Sequence, residues 1–167
     1  MGLFKGVGVE VGYLHYWELK RDSFTDEFVK EAAFVIADNA DEVKGLEIND
    51  KHIAFNGWDG LDRFIFTGNK DSYCKTGILS PENYDKPICA ILLLAVYHFG
   101  EDMHLESDGL ATIHIEPETR RVNKFWEEAL QYVQETFDYE FKRECYKDEF
   151  EQDRIRFFPL KEKKKII

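Results

Sequence analysis

The spacing of apolar residues along the chain changes several times, and its densest block is Ile88 to Tyr97, which is apolar without interruption. Asp85 and Pro87 precede it, where a helix cap and a first turn accept them, and Gly100 follows, where a helix stops. A helix that is apolar all round must be covered on all sides, and this run is far shorter than the roughly 18 residues of a membrane span. The block therefore predicts a helix over about 85–99, buried in the core of a soluble protein.

The flanking segments predict what covers it. Val7 to Leu19 alternates and reads as a strand, with Tyr13, His15 and Trp17 on one face and Leu14 and Tyr16 on the other. Ser23 or Thr25 caps a helix reaching about Ala37, whose stripe is Phe24, Phe28, Ala32, Val35 and Ile36. Asp38 to Gly45 reads as a loop, Leu46 to Gly57 as strand, turn and strand, and Arg63 to Thr67 as the hairpin partner of His52 to Asn56. Gly68 to Asn83 reads as one long loop. Beyond the buried helix, Asp102 to Ser107 is a short strand, with Ala111 to Glu116 as its continuation or hairpin partner. Asn123 caps a long helix with the stripe Trp126, Ala129, Leu130, Val133, Phe137 and Phe141, and Arg154 to Leu160 is a last strand. This order predicts an α+β two-layer sandwich, a mainly antiparallel sheet with helices on one face. It forms a single domain over 1–160, followed by a mobile basic tail over 161–167.

Composition narrows the function classes. With 44% apolar and 15% aromatic residues the chain is not a disordered one. A net charge of −11 disfavours direct binding to nucleic acid or to an anionic membrane. The three cysteines include no CxxC pair, so neither a disulfide framework nor a zinc ribbon is indicated, and nothing calls for a cofactor. The opening residues lack a charged leader with a ten-residue apolar segment, so the expected compartment is cytoplasmic.

Gly12-Tyr-Leu-His-Tyr-Trp17, Ile53-Ala-Phe-Asn-Gly57, Cys74-Lys-Thr, Tyr84-Asp-Lys-Pro, His98-Phe-Gly100 and Ser107-Asp-Gly109 form a set of short blocks over roughly residues 12 to 130. The set resembles a family of small phage and bacterial proteins, without established function, that open with Gly-Tyr-Thr-His-Tyr-Trp. Leu14 stands where that family has Thr. The chain also has extra residues before Gly12, after Gly109 and beyond about residue 140. The resemblance implies a phage or mobile-element origin, hence a host cytoplasm, and no reaction. Interference with host defence is an association with such proteins.

Three constellations could carry chemistry. Tyr13, His15 and Trp17 on one strand face, joined by Asn56, by Lys75 and Thr76 of Cys74-Lys-Thr-Gly77, and by Asp108 for orientation, predict a pocket for a small polar or nucleotide-like ligand. No catalytic residue is assigned, although Cys74 as nucleophile with His15 as base is the enzymatic alternative. His104, Glu106, His114 and Glu116 are an alternative metal set if their strands pair. Carboxylates from Glu127 to Asp153 raise a further reading, an acidic interaction protein that imitates DNA and blocks a host factor through its C-terminal helix. The leading expectation is a non-enzymatic binding protein, one use being to sequester a host-defence signal. Homo-oligomerisation stays open.

Overall fold

The buried block is the helix around which the other elements pack. In the computed structural model, which describes residues 12–59, 61–111 and 115–161, it forms the helix Asp85–Phe99. All of its residues are buried except Lys86, Tyr97 and His98. In chain order the elements are β1 (Tyr13–Leu19), α1 (Asp26–Asp38), β2 (Lys44–Ile48), β3 (His52–Asn56), β4 (Phe64–Thr67), β5 (Asp71–Gly77) and α2 (Asp85–Phe99). They continue with β6 (Met103–Ser107), α3 (Lys124–Phe137), β7 (Glu140–Lys147) and β8 (Asp153–Leu160). The fold is α+β with antiparallel strands, as expected, but the strands form three sheets: β5-β1-β6, β2-β3-β4 and the hairpin β7-β8. α2 packs between α1 and α3 and touches β6 and β8.

Local chemistry explains the element ends. Thr25 caps α1 by accepting the Phe28 amide, and Asn123 caps α3 by accepting the Trp126 amide. Asp85 is not the cap of α2. That position belongs to Tyr84, while Asp85 occupies the first turn with its side chain turned into the core. A single aromatic cluster joins the layers. Phe66 of β4 lies 5.3 Å from Phe24, 5.8 Å from Phe28 and 6.2 Å from Trp17, ring centre to ring centre.

Several expectations need correction. The loop over Gly68 to Asn83 contains β5. Only Cys74, Thr76 and Gly77 of that strand are buried, so its sequence shows no apolar alternation. β6 pairs with β1; of its predicted continuation or hairpin partner, Ala111 to Glu116, residues 112–114 lie outside the described residues. After β6 the chain makes a 3-10 turn at Asp108–Leu110, and Ala111 bridges to Arg154. α3 ends at Phe137 because Asp138 adopts a left-handed conformation, φ 61°. Phe141 therefore belongs to β7, and the acidic residues beyond Glu140 lie on a hairpin, not on a helix. Residues 7–11 of the predicted first strand, and 162–167 of the predicted tail, lie outside the described residues.

Candidate functional site

β1 is the central strand of its sheet, and the two faces it presents have different chemistry. The inward face carries Tyr13, His15, Trp17 and Leu19, all buried. His15 is sealed. Its Nε2 lies 2.5 Å from Asp85 Oδ1 and its Nδ1 lies 2.8 Å from Ser107 Oγ. The Ser107 oxygen accepts the Trp126 indole N–H at 3.0 Å and the Gly109 amide at 3.2 Å. A hydroxyl accepts two hydrogen bonds, so the Ser107 proton is directed to Nδ1, and the ring carries its own proton on Nε2, donated to Asp85. Asp85 also accepts from Thr76 Oγ1 at 2.8 Å and from the Cys89 thiol at 3.3 Å.

This network joins β1, β5, β6, α2 and α3 through side chains far apart in sequence. It has the composition of a catalytic Ser-His-Asp group without the access of one. Ser107 is 1% exposed and both its acceptor positions are filled, so no lone pair is left for attack. Burial and the neighbouring Asp85 push the Cys89 thiol well above its ordinary value, and burial with Asp62 does the same for Cys74. Both are therefore poor nucleophiles. Titration of the folded protein with a disulfide reagent is expected to leave Cys74 and Cys89 unmodified, and denaturant is expected to expose all three cysteines. Rapid modification of Cys74 in the native state would restore the nucleophile reading.

The predicted ligand residues are thus partly brought together, though facing inward. His15 and Thr76 meet on Asp85, and Tyr13 accepts the Asn123 amide N–H at 2.7 Å on the same side. Trp17 packs on Phe64, and its indole N–H has no partner among the described residues. Asn56 ends β3 in another sheet, its side chain accepting the Gly57 amide. Lys75 points the other way from Cys74 and Thr76, its methylenes lying along Gly12. Asp108 accepts the Leu14 amide at 2.9 Å.

Three groups of residues bear on metal binding, the predicted set and two others. Of the predicted one, His104 bonds Glu106 at 2.9 Å, Glu116 bridges to Arg121, and His114 lies outside the described residues. Glu27, Glu31 and His98 also cluster, but the two glutamates address different ring nitrogens, at 3.5 and 2.7 Å, so they do not converge on one lone pair. Around His15, the 2.5 Å separation from Asp85 is a hydrogen bond, shorter than the roughly 3.3 Å that two ligands on one zinc ion would keep.

The outward face of β1 carries Leu14, which is buried, and Tyr16 and Glu18, which are half-buried. There the cross-strand register sets Tyr73, Tyr16 and Glu106 in one row and Asp71, Glu18 and His104 in the next. A groove of about 380 Å³ runs over these rows, bordered also by Asp108, Trp17 and Arg154. The tyrosine rings lie 6.1 Å apart, tilted by 37°. Arg154 donates to Asp148 at 2.7 Å, and the hydrogen bond from His104 holds Glu106 below the usual carboxylate range despite partial burial. A second depression of about 760 Å³ shares Glu18 and His104 with the groove and runs between β6 and β8 over Val96, Leu110 and Phe157.

Comparison with known proteins decides nothing further. No family model, no curated protein and no solved structure matches the chain. The groove's residues were all visible in the sequence. Their grouping was not, because β5 lacks apolar alternation and its sequence resembles a loop, while the His15 face of β1 carries the more distinctive residues.

Proposed function

We propose that the protein is a non-enzymatic binding protein that holds a small polar ligand in the groove on the outward face of β5-β1-β6. The observation that carries this is the groove itself, which combines two tyrosine rings with several polar groups on a rigid sheet. Its volume falls within the ordinary range for small-molecule sites, and strands hold such groups more firmly than loops do. The buried network on the other face supports the reading, since it ties β1, β5 and β6 to the helices and keeps the rows in register. A phage or mobile-element origin, with sequestration of a host signal molecule as the use, belongs to this proposal through the resemblance described above.

The acidic-interaction alternative has the net charge of −11 on its side. Its carboxylates are divided between α3 and the hairpin, and several face cations within the chain: Glu127 with Arg143, Glu144 with Lys142, Asp153 with Lys147. That spacing does not offer one continuous acidic helix face.

Native mass spectrometry of the freshly purified protein, before and after denaturation, tests the binding reading. The expected result is a released small polar molecule, absent from Tyr73→Ala, whose ring is exposed and can be removed without opening the core. A bare chain that also shows no thermal-shift response to a panel of small polar metabolites would overturn it.

A further inference from the structure

We propose that the ligand of this groove is an organic cation, an amine or guanidine carried on a planar or aliphatic body, rather than a phosphate-bearing nucleotide; this rests on the groove being the binding site. The charge pattern of the two rows carries the argument. Glu18 of β1 lies directly opposite Asp71 of β5 on the same face. Like charges in that position destabilise a strand pair. No lysine, arginine or histidine within the described residues forms an ion pair with either carboxylate. The cationic groups at the groove are already matched. Arg154 is held by Asp148 and lies 3.8 Å from Glu106, and His104 is bonded to Glu106.

What remains is an acidic pair beside two phenol rings. A positively charged head placed between Glu18 and Asp71 relieves their repulsion, and the π faces of Tyr16 and Tyr73 attract the same head. A phosphate in that place would face Glu18, Asp71, Glu106 and Asp108. The field of a chain with net charge −11 draws cations toward the groove and repels anions, most strongly at low salt. The same placement narrows a nucleotide-like ligand to its uncharged or cationic relatives.

The test is calorimetric titration of the full chain with agmatine, spermidine and choline as cationic probes, and with adenosine and AMP for comparison. At least one cation is expected to bind more tightly than about 1 mM, with affinity falling as salt rises, and AMP is expected not to bind. Glu18→Gln with Asp71→Asn is expected to weaken that cation at least tenfold while raising the melting temperature of the ligand-free protein. Asp41→Asn, an acidic loss on the 3-10 turn after α1, leaves binding unchanged. AMP or adenosine binding, lost in Tyr73→Ala, with none of the three cations bound, would overturn the cation assignment and keep the groove. Silence from all five probes would overturn the cation assignment, and the mass-spectrometric result would then decide the binding reading separately. Cation binding that the double variant leaves intact would also overturn the assignment, because it would place the cation elsewhere.

Discussion

His15→Ala is expected to lower the unfolding free energy by about 3–5 kcal/mol, because it opens a cavity and strips a buried carboxylate and a buried hydroxyl of a hydrogen-bond partner. The imidazole is fully buried and hydrogen-bonds Asp85 and Ser107, with the Cys89 sulfur 3.8 Å from its Nε2. Its loss leaves a buried carboxylate with two of its three donors and the Ser107 hydroxyl with no acceptor at Nδ1. Few other elements could compensate, because β1 is the middle strand and α2 the central helix. For a chain of this size the loss corresponds to a fall in melting temperature of roughly 10 °C. The double variant with Asp85→Ala should cost less than the two single losses together, by about 1–3 kcal/mol, since the second removal takes away the orphaned charge. Chemical denaturation of the four proteins in that cycle measures it. A single-variant cost below about 1 kcal/mol would mean that water reaches the site, and would reopen a functional role for His15.

Phe66→Ala is the second large effect, about 3–5 kcal/mol, by a different mechanism. The ring is fully buried and contacts Trp17 of β1, Phe24 just before α1, Phe28 in the first turn of α1, and Phe64 of its own strand. It therefore joins the β2-β3-β4 sheet to the rest of the core. Removing it leaves a cavity among rigid aromatic rings, which collapse into it poorly. Phe66→Leu is expected to recover most of the loss, because it restores volume without the ring contacts. Equilibrium denaturation checks both. A Phe66→Ala protein as stable as the parent would show that the second sheet packs without this cluster.

Neither side chain lies in the groove, but both stand behind it: His15 holds Ser107 and Phe66 packs on Trp17, and Ser107 and Trp17 border the groove. A His15 or Phe66 variant is therefore expected to lose stability and, where it still folds, to bind more weakly than the parent. Tyr73→Ala should instead stay stable and fail to bind.

How much of this was legible in the sequence depends on how far each interaction reaches along the chain. α2 was readable to its ends, since an unbroken apolar run from Ile88 to Tyr97, set between Pro87 and Gly100, admits few other structures. The β3–β4 hairpin and the caps Thr25 and Asn123 were readable for the same reason, being local. β5 was hidden because a strand with one buried face at the rim of a sheet needs few apolar residues. The end of α3 was hidden because Phe141 continues the spacing of Val133 and Phe137, and only the left-handed Asp138 breaks the helix.

The candidate site follows the same division. Strand alternation in the sequence determined that Tyr13, His15 and Trp17 share one face of β1 and that Tyr16 lies on the other. It also determined the acidity and the apolar helix that had to be enclosed. Which face of β1 met that helix was decided only in the tertiary structure. The period of a strand is symmetric, so alternation separates two sets of side chains without saying which is inside. Asp85, turned into the core from the first turn of α2, and Ser107, brought alongside by β6, gave His15 its partners and made its face the buried one. Tyr16, Glu18, Tyr73 and Asp71 were thereby left facing outward, together, in a register that no local pattern encodes.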